Sequence, residues 1–168
     1  METLLTSSRR QPLLLFTGNS LTAVPISDYV QQTMVLLGNV GDVLNQGVNG
    51  QTTTTMNTQA VAKVDSCYGS TRLKNICIPW EITNDLYFGA TQEAAYTAYV
   101  NFCTGRRAAG FKVVAVTVLP RSDPGTPGTF EASRTYCNSN IVANWATFAD
   151  ALANVGANAN IGEAGDEN

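Results

Sequence analysis

Hydrophobic positions in this chain fall in short, nearly unbroken runs separated by longer stretches spaced at three and four residues, the alternation expected of strands and amphipathic helices in turn. Residues 12–17, which carry Leu13-Leu14-Leu15-Phe16, read as a first strand. Ile26, Tyr29, Val30, Thr33, Met34 and Leu37 then share one face of a helix that Gly38 stops. Residues 40–48 carry a second strand, after which Gly50 opens a polar turn. The stretch 52–64 reads as a helix too, although its four consecutive threonines are better at capping a helix than at filling one.

Residues 75–80 predict a third strand, with Pro79 near its end where a missing donor is tolerated, and a loop through Asn84 and Asp85 follows. Thr91 caps a long helix with Glu93 in its first turn, and Gly110 closes it. Residues 111–119 are valine-rich and almost continuously apolar, as a strand buried on both faces should be. Beyond a Pro/Gly/Ser loop at 120–129, residues 131–155 read as the last long helix, with Trp145, Phe148 and Leu152 on its inner face and Gly156 past its end. Residues 157–161 would then begin a fifth strand. Strands alternating with helices predict an α/β chain: a three-layer α/β/α sandwich on a parallel sheet of four to five strands, in a single domain spanning 1–168.

Composition narrows the choice of partners. Hydrophobic residues at 44% and charged residues at 14% describe an ordinary globular chain. A net charge of -3, with Arg9-Arg10 and Arg106-Arg107 as the adjacent basic pairs, offers no footprint for a nucleic-acid backbone. The apolar run behind Arg9-Arg10 is too short for a secretory signal, and no stretch approaches the ~20 apolar residues of a membrane span. The expectation is therefore a cytoplasmic protein, or a secreted one whose signal has been removed. Cys67, Cys77, Cys103 and Cys137 show no CxxC spacing and there is no histidine to complete a zinc site, so neither metal nor cofactor is expected, and the thiols are expected to be mostly buried and free.

In a parallel α/β sheet, ligands bind beyond the carboxyl ends of the strands. Three turns at that edge are distinctive: Gly18-Asn19-Ser20, Gly47-Val48-Asn49-Gly50-Gln51, and Glu81-Ile82-Thr83-Asn84-Asp85. The first presents a hydroxyl at a strand-to-helix turn. The second offers a glycine N–H that can approach a substrate closely, and the third an asparagine amide as a neutral donor. With the N–H of Ser20, these make a three-donor hole for an oxyanion.

These residues resemble the SGNH or GDSL hydrolases, a family of serine esterases, lipases and deacetylases on a flavodoxin-like fold. The resemblance covers nearly the whole chain. Gly18-Asn19-Ser20-Leu21-Thr22 is similar to the family's first block, which implies Ser20 as nucleophile. Gly47-Val48-Asn49-Gly50-Gln51-Thr52 resembles the second and implies Gly50 in the oxyanion hole; Trp80-Glu81-Ile82-Thr83-Asn84-Asp85-Leu86 resembles the third and implies Asn84 as the remaining donor. The implied substrate is a small-molecule or carbohydrate ester. Three departures accompany the likeness. Asn19 stands where the family has aspartate, and Ile82 where it has glycine, which is expected to narrow the site. The closing Asp-x-x-His block has no counterpart, and Asp166 lies too near the terminus to supply it.

The chain contains no histidine, so the usual acceptor of the serine's proton is missing. Lys63, Lys74 and Lys112 are expected at the edge opposite Ser20, and Glu81 and Asp85, at the correct edge, are expected to order their loop. Removing the histidine of a serine protease costs about 10^6 in turnover, so low activity is expected of these residues alone. The favoured explanation is a chain truncated before its last block; the alternative is a domain of the same fold that binds without catalysis. A third reading takes 16–20 as a flavodoxin-like phosphate loop for FMN, with Trp80 stacked on the flavin.

Overall fold

The strands β1 (Leu13–Gly18), β2 (Asp42–Asn45), β3 (Asn75–Trp80), β4 (Lys112–Val116) and β5 (Ala151–Ala153) form one parallel sheet in the order β2-β1-β3-β4-β5. They belong to a computed structural model that describes residues 10–23 and 29–162. The helices are α1 (Tyr29–Leu36), α2 (Thr53–Lys63), α3 (Thr83–Tyr87), α4 (Gln92–Ala108) and α5 (Phe130–Phe148). Helices cover both sides of the sheet, giving the three-layer α/β/α sandwich.

β1 lies at the centre of the packing, and all six of its residues are buried. Leu15 points to one side, where it joins Cys77, Val113 and Ala115 against Met56 of α2, Tyr99 and Phe102 of α4 and Ile141 and Phe148 of α5. Leu14 and Phe16 point to the other and meet Val30 and Met34 of α1. Period-2 alternation thus sorts neighbouring residues of one apolar run into two separate cores. β3 shows the same sorting less evenly: Asn75, Cys77 and Pro79 are buried, while Ile76, Ile78 and Trp80 are half-buried on the α1 side.

β1 and β3 stay paired over their full length, from Leu13↔Asn75 to Gly18↔Trp80. β3 and β4 pair only at Ile76↔Lys112 and Cys77↔Val113, then separate toward their carboxyl ends. Tyr99 spans that gap from α4. Its Oη accepts the Val116 N–H at 2.7 Å and lies 3.0 Å from the Pro79 carbonyl oxygen, so two backbone groups that left the ladder are satisfied by one buried side chain.

The third strand and the helix capped by Thr91 match their sequence patterns closely, and five other segments differ. The second strand contracts to four residues and the fourth to five, since residues 40–41, 46–48, 111 and 117–119 lie outside the strands. The stretch through Asn84 and Asp85 is a short helix instead of a loop. The last long helix ends at Phe148, short of 155, and Leu152 lies in β5. Asp150 is the physical reason: its carboxylate accepts from the Val113 N–H at 3.0 Å and from Lys112 Nζ at 2.9 Å, and its own N–H donates to the Val113 carbonyl at 2.8 Å. That anchors the chain to β4 and turns it into the sheet. The fifth strand is therefore 151–153; a short 3-10 helix, Val155–Ala157, and a turn at 159–161 lie beyond it. Ile26 and Asp166 lie outside the described residues.

Candidate active site

Ser20 lies in a tight turn after β1. The Asn19 carbonyl accepts from Thr22 N (3.0 Å) and Ala23 N (2.9 Å), and Asn19 Oδ1 accepts from Leu21 N at 2.8 Å. This doubly bonded turn fixes Asn19 inward, where it is buried, and leaves Ser20 partly exposed. The first described helical residue after it is Tyr29, so within the described residues Ser20 sits on a turn and not at a helix start.

The second segment is brought against that turn by two side-chain bonds from Asn45, the last residue of β2. Its Nδ2 donates to the Thr22 carbonyl at 2.6 Å and its Oδ1 accepts from Gly47 N at 2.9 Å. Gly47 passes so close to the first turn that a Cβ would meet Ala23 N at 2.5 Å and the Thr22 carbonyl carbon at 2.6 Å. Gly50 is exposed and has φ +70, a left-handed conformation that glycine adopts without cost. Gln51 then leads into the Thr52 cap of α2, whose hydroxyl accepts from Thr55 N.

The third segment is α3. Asn84, nearly buried, donates from Nδ2 to the Gln51 carbonyl at 2.9 Å, which joins α3 to the residue after Gly50. Asn84 Oδ1 accepts from Arg121 Nη1 at 3.2 Å. Two carboxyls hold this helix in place. Glu81 Oε1 accepts from Asn84 N at 2.8 Å, and Asp85 Oδ2 accepts from Thr53 N at 2.8 Å. Burial pushes the Glu81 carboxyl well above its ordinary range, with the Asn84 N–H, the Ile82 N–H and the Asn19 side chain opposing the shift and Asp85 adding to it. Burial raises Asp85 as well, against its bonds to Thr53 and Thr54. Both groups order the loop, as their position in the sequence predicted.

Ile82 does not narrow the site. Its side chain is fully buried in the main core, and its backbone takes φ +111, which β-branched residues rarely adopt. The glycine-like conformation is kept while the residue supplies core volume.

Ser20 and Asn84 line one pocket of about 540 Å³ beyond the carboxyl ends of the strands, together with Asn19, Thr83 and the loop after β4. Gly50 is not among the pocket's lining residues; the Gln51–Asn84 bond ties the residue after it to the pocket wall. Arg121, on the 120–129 loop, also lines the pocket. Its signal was available: a cation directly after the Leu119-Pro120 that closes the fourth strand's run. Trp80 does not line the pocket; its Nε1 donates to the Thr117 carbonyl at 3.0 Å and its ring meets Tyr29 edge-on. Among the described residues, no group of three or more Cys, Asp or Glu is placed to hold a metal ion, and no helix is long and apolar enough to cross a membrane.

No family model and no curated protein matches the sequence. Solved structures do match the fold. A candidate acylhydrolase from Bacteroides fragilis superposes with a TM-score of 0.64 at 18% identity, over 86% of this chain and 70% of that one. AlinE4, an SGNH-hydrolase family esterase, gives 0.62 at 15% identity over 84% and 75%. A GDSL-like lipase from Bacteroides thetaiotaomicron gives 0.58 at 15% identity over 83% and 66%. The structural neighbours are thus SGNH and GDSL hydrolases, and the chain has their fold.

Proposed function

We propose that the pocket is an ester-binding site of the SGNH type, with Ser20 as nucleophile and the backbone N–H groups of Gly50 and Ser20 and the side-chain amide of Asn84 as oxyanion donors. The observation that supports this most directly is the convergence of Ser20 and Asn84 on one pocket at the carboxyl edge of the sheet. In the reaction, Ser20 Oγ bonds to the carbonyl carbon of an ester, the carbonyl electron pair moves to oxygen, and the donors meet the resulting charge. Collapse expels the alkoxide as an alcohol and leaves an acyl-serine, which water cleaves. The substrate is a small-molecule or carbohydrate ester.

The serine must lose a proton on attack. None of the 168 residues is a histidine, and Lys74 and Lys112 sit at the amino ends of β3 and β4, away from Ser20. Turnover by these residues alone is therefore expected to be lower by about 10^6 than with a histidine base. A domain of the same fold that binds esters without cleaving them is the alternative reading.

The test is hydrolysis of a short-chain nitrophenyl ester by the protein and by Ser20→Ala. A slow rate that vanishes in the alanine variant is expected. Equal rates in the two proteins would remove Ser20 from the role, and saturable binding of the ester without serine-dependent turnover would favour the binding domain.

A further inference from the structure

Arg121 has a place in this pocket that the ester-site reading leaves unused. From the oxyanion-hole reading of Asn84, on which this rests, we infer that Arg121 is a positioning residue that sets which way the Asn84 amide faces. A side-chain amide is nearly symmetric in shape, and rotating it by half a turn exchanges a donor for an acceptor. An oxyanion donor is useful in one of those orientations only, because the other would aim a carbonyl oxygen at a developing negative charge.

Both ends of the Asn84 amide are held. Nδ2 donates to the Gln51 carbonyl at 2.9 Å, using one of its two hydrogens, and Oδ1 accepts from Arg121 Nη1 at 3.2 Å. In the flipped amide, NH2 would face the guanidinium and oxygen would face the Gln51 oxygen, so two bonds become two like-against-like contacts. The guanidinium cannot change roles, having donors only. A charged donor on Oδ1 also polarises the amide, which strengthens the remaining Nδ2 hydrogen as a donor.

Arg121 is itself fixed from two directions. Its Nε and Nη2 donate to the two Asp123 carboxylate oxygens, the latter at 2.9 Å, and its guanidinium lies 3.8 Å from the centre of the Tyr87 ring. Tyr87 is on α3, one turn from Asn84, so the guanidinium grips the short helix at two points. Asp123 neutralises much of the cation, which suits holding an amide better than capturing an anionic substrate.

The experiment compares the full chain with Arg121→Met, Arg121→Lys, Asn84→Ala and the Asn84→Ala/Arg121→Met double variant. Two ligands are titrated: phenylboronic acid, which forms a tetrahedral adduct on serine, and benzamide as a neutral planar analogue. The Asn84 side-chain amide resonances are followed in parallel, and thermal melts check folding. Arg121→Met is expected to weaken boronate binding about five- to tenfold with benzamide unchanged within twofold, and to shift the two Asn84 amide protons toward free-amide values. Arg121→Lys should recover part of the loss, and the double variant should bind boronate no more weakly than Asn84→Ala. Unmoved Asn84 resonances in Arg121→Met overturn the inference whatever the binding data show. Equal losses for boronate and benzamide overturn it too, by making Arg121 a direct ligand contact. Should Asn84→Ala bind boronate normally, or the parent protein not bind it at all, the oxyanion-hole reading fails and this inference with it. Should Asn84→Ala weaken binding while Arg121→Met does not, the inference fails alone.

Discussion

Glu81 carries its carboxyl into a site with almost no solvent contact, and the pH dependence of folding should register it. Burial raises its folded-state value above the ~4.3 of a free glutamate. The folded chain then keeps a proton that the unfolded chain releases. The stability from holding that proton is complete below the unfolded value and drains away as pH rises toward the folded one. Urea midpoints measured from about pH 4 to pH 7 for the protein and for Glu81→Gln should show this as a difference that grows with pH, the glutamine variant gaining relative to its parent. Asp123, lowered by its bond to Arg121, contributes the opposite slope in both proteins and cancels in the difference. A pH-independent difference would mean that Glu81 titrates alike in the folded and unfolded chains.

At this same scale the sequence disclosed some residues and concealed others. The placement of Ser20 and Asn84 at one edge of the sheet was legible in their local patterns, although Gly50 lies outside the lining of the pocket they share. Arg121 and Asn45 were not legible, because their roles exist only through partners 37 and 23 residues away. Ile82 misled in another way. Its fit depends on a backbone angle and a core contact, neither of which residue type discloses, so a departure that looked like a change in the site is a change in the core.

Among the elements, the legible ones had terminators of their own. Thr91 and Gly110 bracket α4: the Thr91 hydroxyl accepts from Ala94 N at 3.2 Å, and Gly110 follows the helix at φ +101. Thr91→Ala should lower stability by about 1 kcal/mol in chemical denaturation. Activity measured well below the melting transition should not change, since α4 meets the site only through packing. The end of α5 was illegible for the complementary reason. No glycine or proline marks Phe148, and the chain turns there because Asp150 finds Lys112 and Val113 on another strand. A helix stopped by a tertiary contact leaves no local signature, and the same error displaced the fifth strand from 151–153 to 157–161.

For the whole molecule, the sandwich followed from the alternation of patterns, while the strand order β2-β1-β3-β4-β5 has no signature in any one residue. Its two cores differ in depth. The side covered by α2, α4 and α5 encloses most of the large buried residues, whereas the α1 side leaves Ile76, Ile78 and Val114 half-buried.

The deeper core also encloses Cys77, Cys103 and Cys137, and Cys67 lies at its margin with its thiol donating to the Lys63 carbonyl. Burial lifts Cys103 and Cys137 to about 12 and Cys77 well above its usual value, so thiolate is scarce as well as inaccessible. The four sulfurs therefore form a built-in clock for opening of the fold. A disulfide reagent should consume at most one thiol quickly in the native protein and all four in guanidinium. The slow native phase should track the opening of the core, with no label needing to be added to the chain.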